Sequence, residues 1–417
     1  MAMRIGFRQT EVGQIPEDWS VEQLGNCLVS RPSYGINAAA VPYSDRLPTY
    51  IRITDISEEG RFSPAPRVSV RSTFAQAYLL SDGDIVFART GASVGKSYRY
   101  TPTDGALVYA GFLIRVRPDP AKLVPDLVAA YATSGTYWRW VQLMSMRSGQ
   151  PGINGKEYAQ LPVPVPPLFE QRNIVKVLGD VKALLAGLDR LIAKKRDLKL
   201  AAMQQLLTGR TRLPGFQGEW DATSLGEVAD VKTGPFGSLL HESDYVSDGT
   251  PIITVEHLGE FGVEHVNLPM VSESDCRRLQ AYALEAGDIV FSRVGAVDRN
   301  ALIREAEAGW LFSGRLLRVR PDKRRVHSAF LSYQFHGEPF KVLVRTVAVG
   351  QTMASLNTAI LKSITVDLPS LQEQVAIANA LSDMNAELTA LEARRDKTRA
   401  LKQGMVQELL TGRTRLV

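Results

Sequence analysis

The chain has 417 residues, 49 Lys and Arg against 44 Asp and Glu, a net charge of +5, and 45% hydrophobic and 22% charged residues. That length exceeds what one core usually organises, so two domains are expected, and the composition is that of a folded globular protein. No run approaches the ~20 apolar residues of a membrane span, no apolar secretory segment is visible and the cytoplasm is the default location. The two cysteines, Cys27 and Cys276, exclude a disulfide framework or a four-cysteine zinc site and read as small buried apolar groups.

In chain order, the first elements are short strands rich in β-branched and aromatic residues, at Tyr50–Ile53, Asp84–Phe87 and Phe112–Val116. A helical stretch is expected over Leu123–Met146, with Tyr137, Trp138 and Trp140 as core packing. The proline string Leu161–Pro167 then forbids a helix, so a boundary falls there. From Leu168 to Leu207 proline is absent, and Ile174, Leu178, Val181, Leu185 and Leu188 keep the four-three spacing of a coiled-coil seam. Forty residues at ~1.5 Å each make a rod of ~60 Å, suited to a strut.

The same elements then return. GDIVFAR at Gly83–Arg89 recurs as GDIVFSR at Gly287–Arg293, displaced by 204 residues, and RVRPD at Arg115–Asp119 recurs at Arg318–Asp322, displaced by 203. Leu168, Glu170 and Gln171 match Leu371, Glu373 and Gln374, and LLTGRTRL at Leu206 recurs at Leu409. Trp19 and Leu24-Gly25 parallel Trp220 and Leu225-Gly226, and the seam returns at Ile377, Leu381, Met384, Leu388 and Leu391, with Leu198 and Ala202 matching Leu401 and Met405. A period this long makes each copy a whole domain plus its helix. The copies join tail to head as a closed cycle, which implies pseudo-twofold symmetry. The expected fold is therefore α+β: two tandem mixed α/β domains (1–167 and 209–368) separated by two long antiparallel helices (168–208 and 369–417) forming a coiled coil.

Motifs for chemistry are weak. Thr90–Ser97 imitates a phosphate-binding loop with one residue too few between its glycines, and the second copy lacks the Lys-Ser. His241, His257, His265, His327 and His336 show no metal-ligand spacing. Asp180-x-Lys182 and Asp197-x-Lys199 mimic half of a nuclease site but flank the seam as a solvated helix face, with Val181 and Leu198 on the seam itself. No dinucleotide fingerprint is found, and Pro166-Pro167-Leu168-Phe169 lacks the polar lead of an amino-methyltransferase motif. No credible active site is found, and at this point a DNA-binding chain, an enzyme with its own nuclease or methyltransferase activity and a protein-only scaffold stand side by side.

The matched helices, the Glu-Gln helix starts, both GDIVF strings, Ile15-Pro16-Glu17-Asp18-Trp19, Gly234-Pro235-Phe236-Gly237-Ser238 and the repeated LLTGR together resemble the specificity subunits of type I restriction-modification systems, over essentially the whole chain. The resemblance implies two target recognition domains, each reading one half of a bipartite site in double-stranded DNA, with the helices setting the gap. It implies two modification subunits that bind S-adenosylmethionine and methylate adenine, and restriction subunits with ATP-driven (ATP/Mg) translocation, while this chain itself binds no cofactor or metal and has no catalytic residue. Loops combining cations, amides and aromatics supply the candidate DNA contacts: Arg31, Tyr34, Lys96, Arg147 and Gln150 in the first copy, and Lys232, Phe236, Ser238, Arg293, Arg299, Arg345 and Gln351 in the second. For each, ordinary surface or turn structure is the competing role. SVGKSYRY against VDRNALIR after a shared GDIVF strand implies two different half-sites.

Overall fold

The computed structural model describes residues 6–146, 150–259, 262–348 and 355–416. The chain divides into two compact units, one made of residues up to 189 and from 393 onward, the other of residues 190–392. Each unit thus holds one mixed α/β domain together with one end of each long helix. Those helices run from Leu168 to Leu206 and from Leu371 to Leu410.

Each domain is built on an antiparallel four-stranded sheet with the same strand order. In the first unit the order is Leu28–Tyr34, Leu113–Pro118, Ile85–Ala88 and Ser97–Arg99; in the second it is Ala229–Thr233, Leu316–Pro321, Ile289–Ser292 and Asn300–Leu302. The GDIVF strings form the third strand of each, and their unbroken apolar run is explained by burial on both faces. Side chains alternate across a strand, so Ile85 and Phe87 enter the core shared with the helices while Val86 and Ala88 enter a second core beneath the other sheet. Ile289, Phe291 and Val290 divide the same way. That other sheet is mixed: Thr49–Ile51 pairs in parallel with Leu107–Tyr109, and Thr250–Ile253 with Leu311–Phe312. The polar ends of the repeated strings are partners as well. Buried Asp84 accepts two hydrogen bonds from Arg117 (2.7 and 2.8 Å), and Asp288 two from Arg320 (both 2.7 Å).

Several local expectations need correction. Leu123–Met146 is two helices, Pro125–Tyr131 and Gly135–Ser145, because the Ser134 hydroxyl caps the second by accepting from the Tyr137 amide. Tyr137 is buried there, but Trp138 is 40% exposed. The proline string is free of helix as expected, with the long helix starting after it at Leu168, and it contains a strand, Pro162–Val165, paired antiparallel with Ser20–Gln23; a two-stranded ribbon leaves an open edge on which missing amides are tolerated. Cys27 is buried, whereas Cys276 is only half-buried.

Within each unit the long helices run antiparallel. Ile174 and Leu178 share a core with Val406, Leu409 and Leu410 in the first unit. In the second, Met203 and Leu207 share one with Ile377, Ala378 and Leu381, and Lys195 pairs with Glu387 at 2.7 Å and Arg196 with Glu392. Ile174, Leu178, Leu185, Leu188, Ile377, Leu381 and Leu388 are buried, and Val181, Met384 and Leu391 half-buried. The expected course of the seam fails further along. Leu198 and its repeat mate Leu401 are 48% and 60% exposed, whereas Lys199, a heptad beyond buried Ile192, is 7% exposed. A residue one position off a heptad seam is turned by about 100°, which moves Leu198 out and Lys199 in. Lys199 is therefore no solvated flank.

The repeated helix ends and helix starts meet each other. Gly412 and Gly209 both take a φ of 67°, a left-handed turn that ends each helix without a Cβ penalty. The arginine three residues later then reaches the helix start of the other copy. Arg415 donates to Glu170 at 2.6 and 2.8 Å, and Arg212 donates to Glu373 at 2.6 Å twice. Glu170 and Glu373 are 0% and 1% exposed. Trp19 Nε1 also donates to Glu170 at 3.0 Å, and Arg415 lies 5.7 Å from the Trp19 ring, as Arg212 lies 5.9 Å from that of Trp220. Arg415 further grips exposed Asp18 and holds its carboxyl below the ordinary value. The neighbouring glutamines fasten each helix start to its domain. Gln171 accepts from the Val124 amide and donates to the Lys122 and Pro166 carbonyls, and Gln374 does the same with His327, Arg325 and Pro369.

Removing a buried charge strands its partners, whereas an exposed carboxylate is replaced by water. Glu170→Ala is expected to cost about 3 kcal/mol and Asp18→Ala less than about 1 kcal/mol in denaturant-unfolding measurements on the full chain. Equal losses would contradict this ranking.

Candidate nucleic-acid interface

At one end of each antiparallel sheet four segments converge in the same arrangement. The first strand leaves the sheet at a glycine pressed against the backbone of another segment: a Cβ on Gly35 would lie 2.2 Å from the Ala110 carbonyl oxygen, and one on Gly234 2.2 Å from that of Ser313. The third strand ends at Arg89 or Arg293, whose amide donates to the carbonyl of Phe112 (3.1 Å) or Arg315 (2.8 Å) in the turn before the second strand. The carbonyl of the same arginine accepts from Ile153 (2.9 Å) or Leu356 (2.8 Å), leading into a short helix capped by Asn154 or Asn357. Both main-chain groups of each arginine are thus anchored.

The side chains displayed at this end differ between copies. Arg89 is half-buried, 5.0 Å from the Tyr34 ring, and Tyr34, 43% exposed, accepts a hydrogen bond from the Gly155 amide at 3.0 Å. Arg293 lies 5.9 Å from the ring of Phe236, itself 61% exposed, and donates to the Gly314 carbonyl at 3.3 Å. Exposed Phe112 in the first copy is matched by exposed Arg315 in the second. Such cation and aromatic pairs suit contact with nucleic acid, where guanidinium groups meet phosphates or base edges.

Of the candidates from sequence, Tyr34, Phe236 and Arg293 belong to this cluster, and exposed Gln150 stands beside Gly91 in the first copy. Arg31 is exposed along the strand leading to Tyr34. Other candidates are held within the fold. Lys96 pairs with Glu58 at 2.5 Å, Lys232 donates to the Ala281 carbonyl and lies 4.3 Å from the Tyr282 ring, Arg299 donates to the Leu258 carbonyl, and Arg345 bonds Asp298 and Glu338. Ser238 lies in the turn Gly237–Leu239. Arg147 and Gln351 fall outside the described residues. The sequence reading singles out Arg293 but not Arg89, although aligning GDIVFAR with GDIVFSR in the repeat gives one from the other. A cleft of about 1150 Å³ in the second unit, between the helix pair and the helices Ser328–His336 and Glu338–Val347, contains none of these candidates. Among the described residues no group of three His, Cys, Asp or Glu side chains is placed to hold a metal ion, and no helix is long and apolar enough to cross a membrane.

Comparison with known proteins agrees with this architecture. Residues 217–399 match the family described as type I restriction modification DNA specificity domain. The chain is 20% identical to the type I restriction enzyme MjaVIII specificity subunit of Methanocaldococcus jannaschii over 98% of its own length and 96% of that protein. It is 21% identical to the EcoKI specificity subunit of Escherichia coli K12 over 95% of its length and 89% of that protein. In fold it is similar to the HsdS subunit of Thermoanaerobacter tengcongensis (TM-score 0.51, 19% identity, 95% of this chain and 98% of that one). It is also similar to the S subunit of the type I system of M. genitalium (TM-score 0.59, 14% identity, 98% and 97%). Duplicated domains, each with matched helix ends and a loop cluster on a common sheet, define a tandem-repeat architecture. The chain is thus similar over nearly its whole length to specificity subunits of type I restriction-modification systems, and its residues 217–399 match the family model of their DNA specificity domain.

The tight approach at Gly35 and Gly234 is against backbone, which cannot rotate away. Gly35→Ala and Gly234→Ala are each expected to destabilise the chain by about 1 to 3 kcal/mol, read as a lowered unfolding midpoint; an unchanged midpoint would refute the close approach.

Proposed function

We propose that this chain is the non-catalytic DNA-reading subunit of its complex, each domain reading one half of an asymmetric bipartite site in double-stranded DNA and the helices setting the gap. The observation that carries this reading is the loop cluster itself: one scaffold, present twice, displays Tyr34 and Phe112 in one copy and Phe236 and Arg315 in the other. Different displayed side chains on one scaffold read different half-sites. Binding of S-adenosylmethionine and of ATP with Mg then falls to partners: two modification subunits that methylate adenine, and restriction subunits that translocate DNA. Leu191 and Leu198, one heptad apart and 39% and 48% exposed, offer the helix surface such a protein partner would cover. The whole assembly works in the cytoplasm.

Selection from a random duplex pool by the chain assembled with its modification subunits is expected to enrich one bipartite motif with unlike halves; no enrichment would refute the reading. Deleting four residues from each long helix is expected to shift the gap while both halves are retained, because the helices act as the ruler. An unchanged gap would contradict that role.

A further inference from the structure

Arg89 and Arg293 are the same residue at the same place in two domains whose surrounding displayed side chains differ. Their backbones are anchored alike, on both the amide and the carbonyl, by the turn before the second strand and the segment before the Asn-capped helix. Each guanidinium lies near an aromatic ring, and that of Arg89 makes no hydrogen bond or ion pair with another described residue. These arginines contrast with Arg117 and Arg320, which are also repeated but spend their guanidinium groups on Asp84 and Asp288. A repeated arginine left without a carboxylate partner among the described residues is a poor scaffold element and a good anion contact.

We infer that Arg89 and Arg293 are the sequence-independent phosphate contacts that dock each domain on the DNA backbone, leaving base discrimination to their unlike neighbours. The inference rests on the DNA-reading function proposed above and divides the labour within it. A residue common to both copies cannot carry a difference between half-sites, whereas a phosphate is present at every position of any duplex. Phosphate contacts fix register and orientation without carrying sequence information. The anchored backbone supplies a fixed starting point for the side chain, and the ring beside it limits where the guanidinium can go. Tyr34 and Phe112 around Arg89, and Phe236 and Arg315 around Arg293, are then the residues whose replacement alters preference within one half of the site.

The two roles separate by salt dependence and by consensus. Each phosphate contact contributes about 0.9 to the slope of log affinity against log salt concentration, so Arg89→Gln and Arg293→Gln, in the full chain assembled with its modification subunits, should each lower that slope by about 1 and together by about 2. The motif enriched from a random pool should stay the same in both halves. Arg89→Lys and Arg293→Lys, which keep the charge but lose the planar fork, should retain most of the slope. Tyr34→Ala or Arg315→Ala should change the motif in one half only. Loss of preference in one half on replacing Arg89 or Arg293, without rescue by lysine, would make them base readers and overturn the inference, as would an unchanged slope in folded variants. No enriched motif from the unaltered assembly would overturn the DNA-reading function itself, and this inference with it.

Discussion

The contact on which the rest of the structure depends is the buried pairing of an arginine beyond the end of one long helix with a glutamate at the start of the other. Because Arg415 meets Glu170 and Arg212 meets Glu373, neither unit is complete within one copy of the repeat. The first unit needs the tail of the second copy, and the second unit needs the tail of the first. A carboxylate as buried as Glu170 is tolerable only with charge and hydrogen bonds supplied to it; Arg415 and Trp19 supply both. The same few residues fix where the helix starts, where its partner ends and how the domain is fastened to both, through Gln171 and Gln374.

This interlock explains which parts of the chain stay alike and which do not. Residues identical in both copies are largely committed to internal partners: Asp84 with Arg117, Asp288 with Arg320, Gln171 and Gln374 with backbone, and Gly209 and Gly412 in left-handed turns. The sheet end opposes this. There the supporting backbone is the same, but Tyr34, Phe112, Phe236 and Arg315 differ and are exposed. A rigid scaffold carrying variable loops is the arrangement that lets binding change without loss of the fold.

Much of the fold could be read from the sequence because the signals were periodic or duplicated. The heptad spacing marks the helices, the runs Asp84–Phe87 and Phe112–Val116 with their repeats mark two central strands of each sheet, and the prolines mark where helix cannot form. What escaped was set by tertiary contact. The exposure of Leu198 and burial of Lys199 depend on where the partner helix lies, and the break at Ser134 depends on a single cap. Charge marks Lys96, Lys232, Arg299 and Arg345 as candidates, and charge alone does not reveal that Glu58, Ala281, Leu258 and Asp298 are there to meet them. Glu170 and Arg415 are far apart in sequence, and nothing local announces their pairing, although both belong to repeated strings. The same duplication held the position of Arg89, which follows directly once Arg293 is recognised.

The central claim is that the two domains are equivalent readers on a common scaffold, and it is tested most directly by duplicating one of them. A chain in which residues 6–167 are replaced by residues 209–368, assembled with its modification subunits and selected on random duplexes, should enrich a site containing the second half-site twice and the first not at all. Retention of the original unlike pair, or enrichment of a site unrelated to either half, would contradict the account.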